Sequence, residues 1–327
     1  MAYKKFKVGS FCGEKAYTIF LNLGYSMKEA QKLCDKGRLL VNDAVCGKND
    51  LVFGDAYFID YECEPKGLQP IFECDEFGVF DKPSGVLSHP NGRNCEYSLC
   101  DEIWSLWGKK ACVAHRLDRE TSGVIVVAKN ADSALNLKKS FENRAVAKTY
   151  LAFVNGKFDG SGLNEFCIND FKDFKDKLEF FDDIQGFVIN KNMDITKDYD
   201  DIKIRMEICP EGKRAVTVVK LVEYYPKFDI SLVECYPLTG RQHQIRLHLF
   251  HMKHRILGDP IYGLEKSEIE NILDNKLTKS ERINLVRSSR LMLHSKRIKF
   301  AFLGQIYDIK SQIKFDINLK DEFFKKN

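Results

Sequence analysis

Two short apolar runs, Ala111–Ala114 and Val124–Ala128, flank the polar stretch His115–Gly123 and read as buried strands joined by a structured turn. Earlier in the chain, Ala30, Leu33 and Cys34 recur at helical spacing, and Lys28, Lys32 and Lys36 form a row every four residues along the same helix. Ser26 is placed to cap its start and Gly37 to stop it. Strands are expected at Leu39–Asn42 and Tyr57–Tyr61, and an antiparallel pair at Ala215–Tyr224 and Asp229–Tyr236 joined through Tyr225–Phe228. After that pair, Thr239 followed three residues later by Gln242 gives a capping-box pattern. The helix it would open places Ile245, Leu249 and Met252 on a core face and Gln242 and Arg246 along its edge. This order of elements predicts an α+β fold.

The Pro/Gly-rich break Glu64–Pro70 divides the chain into a small unit, 1–64, a linker, 65–70, and a large unit, 71–327. Within the large unit, 163–201 carries eleven acidic side chains against five lysines, interleaved with Phe, and 264–289 is a charged, helical-looking excursion.

Composition narrows the class. The chain has 327 residues, 44% of them hydrophobic, enough for one large core and a satellite. No secretory h-region follows Lys4, Lys5 and Lys7, and no run of eighteen apolar residues occurs, so the expectation is a cytoplasmic protein with no membrane partner. Eleven scattered cysteines with no Cys-x-x-Cys pair fit reduced, mostly buried thiols better than a disulfide framework or zinc ribbon. A net charge of +4 is too small to announce a nucleic-acid binder, so any basic surface must be local. Residues 1–64 illustrate this, holding nine Lys+Arg and nine Asp+Glu, yet with Lys28, Lys32 and Lys36 stacked as a stripe and Arg38 just beyond it. On spacing alone such a row is equally a solvated helix face.

The candidate chemistry centres on Asp118. An Asp beside two arginines in a turn is more often a salt-bridged structural residue, but the whole string His115-Arg-Leu-Asp-Arg-Glu-Thr-Ser-Gly123 resembles the signature of the RluA-type pseudouridine synthases. These enzymes isomerise uridine within RNA. The resemblance continues in order through Phe80–Gly85 with Ser88–Pro90, Ala147–Tyr150, Gly212–Thr217, Thr239–His248, Leu257–Gly263 and Leu291–His294. It implies the pseudouridine synthase fold, a mixed, largely antiparallel sheet with flanking helices, in which 163–201 and 264–289 are insertions. Ser26–Asn42 is similar to a small RNA-binding module of a small-subunit ribosomal protein and of bacterial tyrosyl-tRNA synthetases. By that likeness Lys28, Lys32, Lys36 and Arg38 become phosphate contacts.

The resemblance also implies roles. Asp118 is the catalytic carboxylate, as nucleophile or base, and Arg246 its cationic partner. Tyr150 stacks on the base and takes part in proton transfer, and Arg116 fills the space left by the extruded nucleotide. Arg119, Lys82 and Arg241 are candidates to reach phosphates. Moving the uracil from its ring nitrogen to a ring carbon involves no net redox change, so no cofactor is expected. A metal site built from His243, His248, His251 and His254 is disfavoured, because no acidic residue lies between the first and last of them. The expected partner is RNA, large-subunit ribosomal RNA above all, bound by a monomer. A tRNA pseudouridine synthase and a non-catalytic RNA-binding ribosome-assembly factor are the alternatives.

Overall fold

The computed structural model describes residues 3–90, 95–142, 146–197, 202 and 204–316. The far end of the acidic insertion, 198–201, therefore lies outside the described residues. The chain forms two compact units, Met1–Gly67 with Pro90–Ser105, and Leu68–His89 with Leu106–Asn327.

The first unit is a four-stranded antiparallel sheet in the order Tyr3–Lys15, Leu51–Tyr61, Leu39–Val41, Ala44–Val45, with helices Ala16–Asn22 and Met27–Asp35. The cap forms as the pattern predicts. Ser26 and Glu29 bond reciprocally, side chain to backbone, at the start of Met27–Asp35, and Gly37 takes a positive φ of 63° just beyond it. Ala16, Ile19, Phe20, Ala30, Cys34, Leu39, Val52, Ala56 and Phe58 make the core. One local expectation is corrected, and one strand was not expected. Asn42 is not strand: with Asp43 it adopts positive φ and turns the chain into Ala44–Val45. The thirteen-residue strand Tyr3–Lys15 has no clean alternation to announce it, because its register against Leu51–Tyr61 shifts at Lys7/Gly9 and again at Cys12/Glu14. Residues 98–102 also belong to this unit, against the expectation that everything beyond the linker joins the large one. Asp101 is buried and accepts from Tyr61 Oη at 2.5 Å and from the Glu64 N–H at 3.0 Å.

The second unit is built on an eleven-stranded mixed sheet. Its main path runs Asn164–Glu165, Phe187–Asn190, Val216–Tyr225, Ile230–Pro237, Val146–Asn155, Leu293–Phe302, Ser122–Ala128, Phe77–Lys82, Phe72–Glu73. The pairing of Leu293–Phe302 with Ser122–Ala128 is parallel, and the other pairings along the path are antiparallel. Gly123, the last residue of the nine-residue string, makes that parallel contact possible: its φ is +105° and a Cβ there would lie 2.2 Å from the Ser295 carbonyl oxygen.

Both insertions are integral to this unit. Phe187–Asn190 adds a strand beside Val216–Tyr225. Phe171, Phe174 and Leu178 pack on Val216, Val218, Tyr236 and Leu238, with Phe166 and Phe181 alongside. The second insertion forms helices Lys266–Leu273 and Lys279–Val286, whose Ile269, Ile272 and Val286 pack with Leu247, Ile261 and Tyr262.

Candidate active site

Asp118 sits in the turn between the short strand Cys112–Val113 and Ser122–Ala128, and the loop after Phe77–Lys82 fastens that turn from below. Lys82 is fully buried, and its ammonium donates to the carbonyls of Pro83 (3.0 Å), Val86 (2.7 Å) and Arg119 (3.1 Å). Ser84 Oγ donates to the Glu120 carbonyl at 2.6 Å, Ser88 Oγ to the Leu117 carbonyl at 2.8 Å, and the Gly85 N–H to the Arg119 carbonyl at 2.9 Å. A turn whose Leu117, Arg119 and Glu120 carbonyls are engaged presents one side chain in one place. Lys82 is thus no phosphate contact, since burial pulls its ammonium down to about 7, against the opposing pull of Asp118 and Glu120.

Across from the turn stands the helix Gln244–His251. Thr239 does not cap it through Gln242. Its hydroxyl accepts from the Val216 N–H at 2.8 Å and donates to Gln244 Oε1 at 2.7 Å, and the helix starts after His243. From Gln244 to Leu249 the helix is buried on every side, so Arg246 is buried and does not lie along an edge. Its Nη1 donates to Asp118 Oδ2 at 3.1 Å, while Nε and Nη2 form a two-point bond to Asp259 at 2.8 and 2.9 Å. Burial works against the charge on Arg246, but Asp259 and Asp118 outweigh it and hold the guanidinium above the ordinary arginine range. Burial likewise opposes ionisation of Asp259, and Arg246 with the Ile261 and Tyr262 N–H groups overrides it and lowers its pKa. Asp118 keeps 32% of its side chain exposed, so its carboxylate is both charge-paired and accessible.

Tyr150, on Val146–Asn155, is buried, and its phenol hydrogen-bonds the Ser295 hydroxyl. Burial, reinforced by the Asp118 charge, raises its pKa well above the ordinary tyrosine value, so it stands as a neutral phenol.

Residues 76–251, more than half of the chain, match the model of a family described as RNA pseudouridylate synthase. The chain belongs to that family. It is 37% identical over 88% of its length, and 87% of the relative's, to an uncharacterized RNA pseudouridine synthase of Helicobacter pylori. It is 30% identical to a ribosomal large subunit pseudouridine synthase D of Nitrosomonas europaea over 62% of this chain and 52% of that one. It is 32% identical to a tRNA pseudouridine(31) synthase of Saccharomyces cerevisiae over 60% and 46%. The fold matches the solved structure of human RNA pseudouridylate synthase domain containing 1 with a TM-score of 0.54, at 22% identity, over 76% of this chain and 86% of that one.

This pseudouridine synthase brings Asp118 and Arg246 into direct contact, and the Asp118 charge acts on the buried Tyr150. Arg116 is exposed beside Asp118. Arg241 is exposed too, with Nε donating to the Arg214 carbonyl at 3.1 Å, and Arg119 is half-buried, with Nη2 3.9 Å from Glu120. In the first unit, Lys28, Lys32 and Lys36 are exposed and make no ion pair among the described residues. Lys4, Lys5, Lys7 and Lys48 are paired with Glu62, Asp43, Asp55 and Asp35. Arg38 is not free in the same way, because its guanidinium lies 3.9 Å over the Tyr3 ring.

The four histidines go to different partners. His248 contacts Thr217 Oγ1 and the Lys191 carbonyl, His254 the Asn155 carbonyl, His251 is exposed, and only His243 faces Asp118. Sequence reasoning gave no role to Asp259 or Tyr262, although both lie in the quoted string Leu257–Gly263. A carboxylate inside a Gly-Asp-Pro turn was the available signal. Glu120 is a third omission: Arg282 of Lys279–Val286 donates to it, and also to the Gly258 carbonyl at 3.1 Å, tying the Asp118 turn to the Asp259 turn.

Among the described residues no helix is long and apolar enough to cross a membrane.

Proposed function

We propose that this RNA pseudouridine synthase isomerises specific uridines of large-subunit ribosomal RNA, with Asp118 as the reacting carboxylate. The observation that carries this reading is an accessible Asp118 held by an arginine whose other two nitrogens are committed to a buried second carboxylate. The bond from C1′ of the ribose to N1 of uracil breaks, the base turns, and a bond from C1′ to C5 replaces it. The C5 proton is lost to solvent or a base, and N1 regains one. Electron deficiency develops at C1′, and an ionised carboxylate beside it acts as nucleophile, base or electrostatic stabiliser.

Arg246 sets a compensating cation against Asp118 where RNA excludes water. The Tyr150 ring supplies a flat surface on which the detached uracil is retained, and its neutral phenol is a hydrogen-bond donor. Arg116 lies beside Asp118, where it fills the gap left by an extruded nucleotide.

Ribosomal RNA is favoured by the exposed lysine row of the first unit, which makes no ion pair among the described residues and suits the phosphates of a large folded RNA, and by the likeness to a ribosomal large subunit synthase. The likeness to a tRNA synthase supports the second reading. Chemical mapping of pseudouridine in ribosomal and transfer RNA from cells with and without the gene separates them. Loss of sites confined to tRNA overturns the ribosomal assignment, and no lost site in either RNA overturns both.

A further inference from the structure

His243 is the residue before the helix that carries Arg246, and it is locked in the left-handed region at φ 53°. Backbone strain of this kind persists where the surroundings over-determine it. Here its carbonyl accepts the Leu247 N–H at 2.9 Å, and its ring lies between Tyr262 and Asp118. The ring is buried. Its Nδ1 lies 3.2 Å from Tyr262 Oη and its Nε2 3.8 Å from Asp118 Oδ2, the same oxygen that Arg246 holds.

The hydrogen bonds around Tyr262 decide which nitrogen carries the proton. The Met206 N–H donates to Tyr262 Oη at 3.2 Å, so the phenol's own proton is available for His243 Nδ1. Nδ1 is then the acceptor and Nε2 the N–H, aimed at Asp118. The charged and titratable groups facing the ring are Arg246, Asp118, Asp259 and Tyr262. Burial first, and then Arg246, pulls the imidazole down to about 4 against the two carboxylates, so at neutral pH it is a dipole and not a cation.

We infer that His243 is a positioning residue for Asp118, a neutral Nε2–H donor oriented by Tyr262. With Arg246 it fixes one carboxylate oxygen and leaves the other for the ribose. The inference rests on the reading of Asp118 as the reacting group. A cation here would compete with Arg246 for the same oxygen, whereas a neutral donor adds orientation without a second charge. The 3.8 Å separation is longer than a hydrogen bond, as catalytic contacts often are before substrate closes the site.

Two measurements on the full chain test it. The first needs no activity: long-range 15N spectra of histidine-labelled protein, with His243→Gln assigning the signal, should show a neutral Nε2–H ring from pH 8 down to about 5. Tyr262→Phe should mix the two tautomers. An Nδ1–H ring, or a titration near the ordinary histidine value, overturns the inference.

The second is single-turnover pseudouridine formation on unmodified transcripts of large-subunit ribosomal RNA and pooled tRNAs. His243→Leu should slow the step about 10- to 100-fold with RNA affinity changed less than about twofold, and His243→Gln, which keeps a donor at similar reach, should recover most of it. Tyr262→Phe should slow the wild type but add nothing to His243→Leu. Equal losses in the Leu and Gln variants, or additive losses with Tyr262→Phe, overturn the inference. A wild type inactive on every transcript, or full activity in Asp118→Asn, overturns the functional reading instead, and the tautomer measurement still decides the role of His243.

Discussion

Asp118 and Asp259 are held by one guanidinium: Arg246 gives Nη1 to the first and both Nε and Nη2 to the second. The two carboxylates differ in surroundings, since Asp259 is 1% exposed and also accepts two backbone N–H groups, whereas Asp118 keeps a third of its side chain in solvent. One therefore anchors the cation and the other is free to react.

Asp118→Asn should abolish pseudouridine formation while leaving thermal stability and RNA affinity near wild type, because it removes charge at an accessible position and keeps size and shape. Single-turnover assays and denaturation curves check this together. Substantial turnover by the purified variant would remove Asp118 from the chemistry.

Arg246→Ala should cost about 3–5 kcal/mol of stability, because Asp259 is left as an uncompensated buried charge. Arg246→Lys should be less unstable yet nearly as inactive, since a point charge cannot serve two carboxylates in a fork geometry. Urea unfolding with parallel rate measurements distinguishes the two. Lys-variant activity equal to wild type would mean that the fork is irrelevant to the reaction.

The same pair gives a pH dependence with a defined sign. Asp259 has a folded pKa below its unfolded value, so its stabilisation is fully present above the ordinary carboxylate range, about 4, and is lost as pH falls through the lower folded value. Asp259→Asn should flatten the acid limb of stability against pH. An acid limb as steep in the variant as in wild type would assign that dependence to other carboxylates.

These features were unequally legible from sequence. The nine-residue string located the Asp118 turn because strand, turn and strand alternate over a few residues. The caps at Ser26 and Gly37 were legible because capping is local chemistry. The burial of Arg246 was not, for tertiary packing covers its helix on every side from Gln244 to Leu249, which spacing alone does not show. Thr239 had two glutamines within reach, Gln242 and Gln244, and tertiary contacts with Val216 and Thr217 select the second. Lys82 was a candidate to reach phosphates, and only the folded loop supplies three carbonyls around its ammonium.

Replacing Lys28, Lys32 and Lys36 together with Gln should weaken RNA binding and reduce the salt dependence of log K by about 2 if all three contact phosphates. Substitution is a cleaner test than deleting 1–64, because the buried Asp101 takes partners from Tyr61 and Glu64. Affinity measured at several salt concentrations gives the slope. An unchanged slope would make the row a solvated face.

The acidic insertion offers a sharper test than its composition suggested. A detached excursion could be excised with little loss, but Phe171, Phe174 and Leu178 cover Val216, Val218, Tyr236 and Leu238, and Phe187–Asn190 pairs with the strand Val216–Tyr225. Excision would expose both an apolar surface and an unpaired sheet edge. Removal of 163–201 should therefore give aggregated or unfolded protein, and Phe174→Ala alone should cost about 3–5 kcal/mol. The effect on activity should follow the folded fraction, because Val216 also anchors Thr239 and Gln244 at the start of the Arg246 helix. Denaturation of the Phe174→Ala variant, with turnover normalised to folded protein, separates the two effects. A well-folded deletion variant with wild-type stability would show that the insertion contributes nothing to the core.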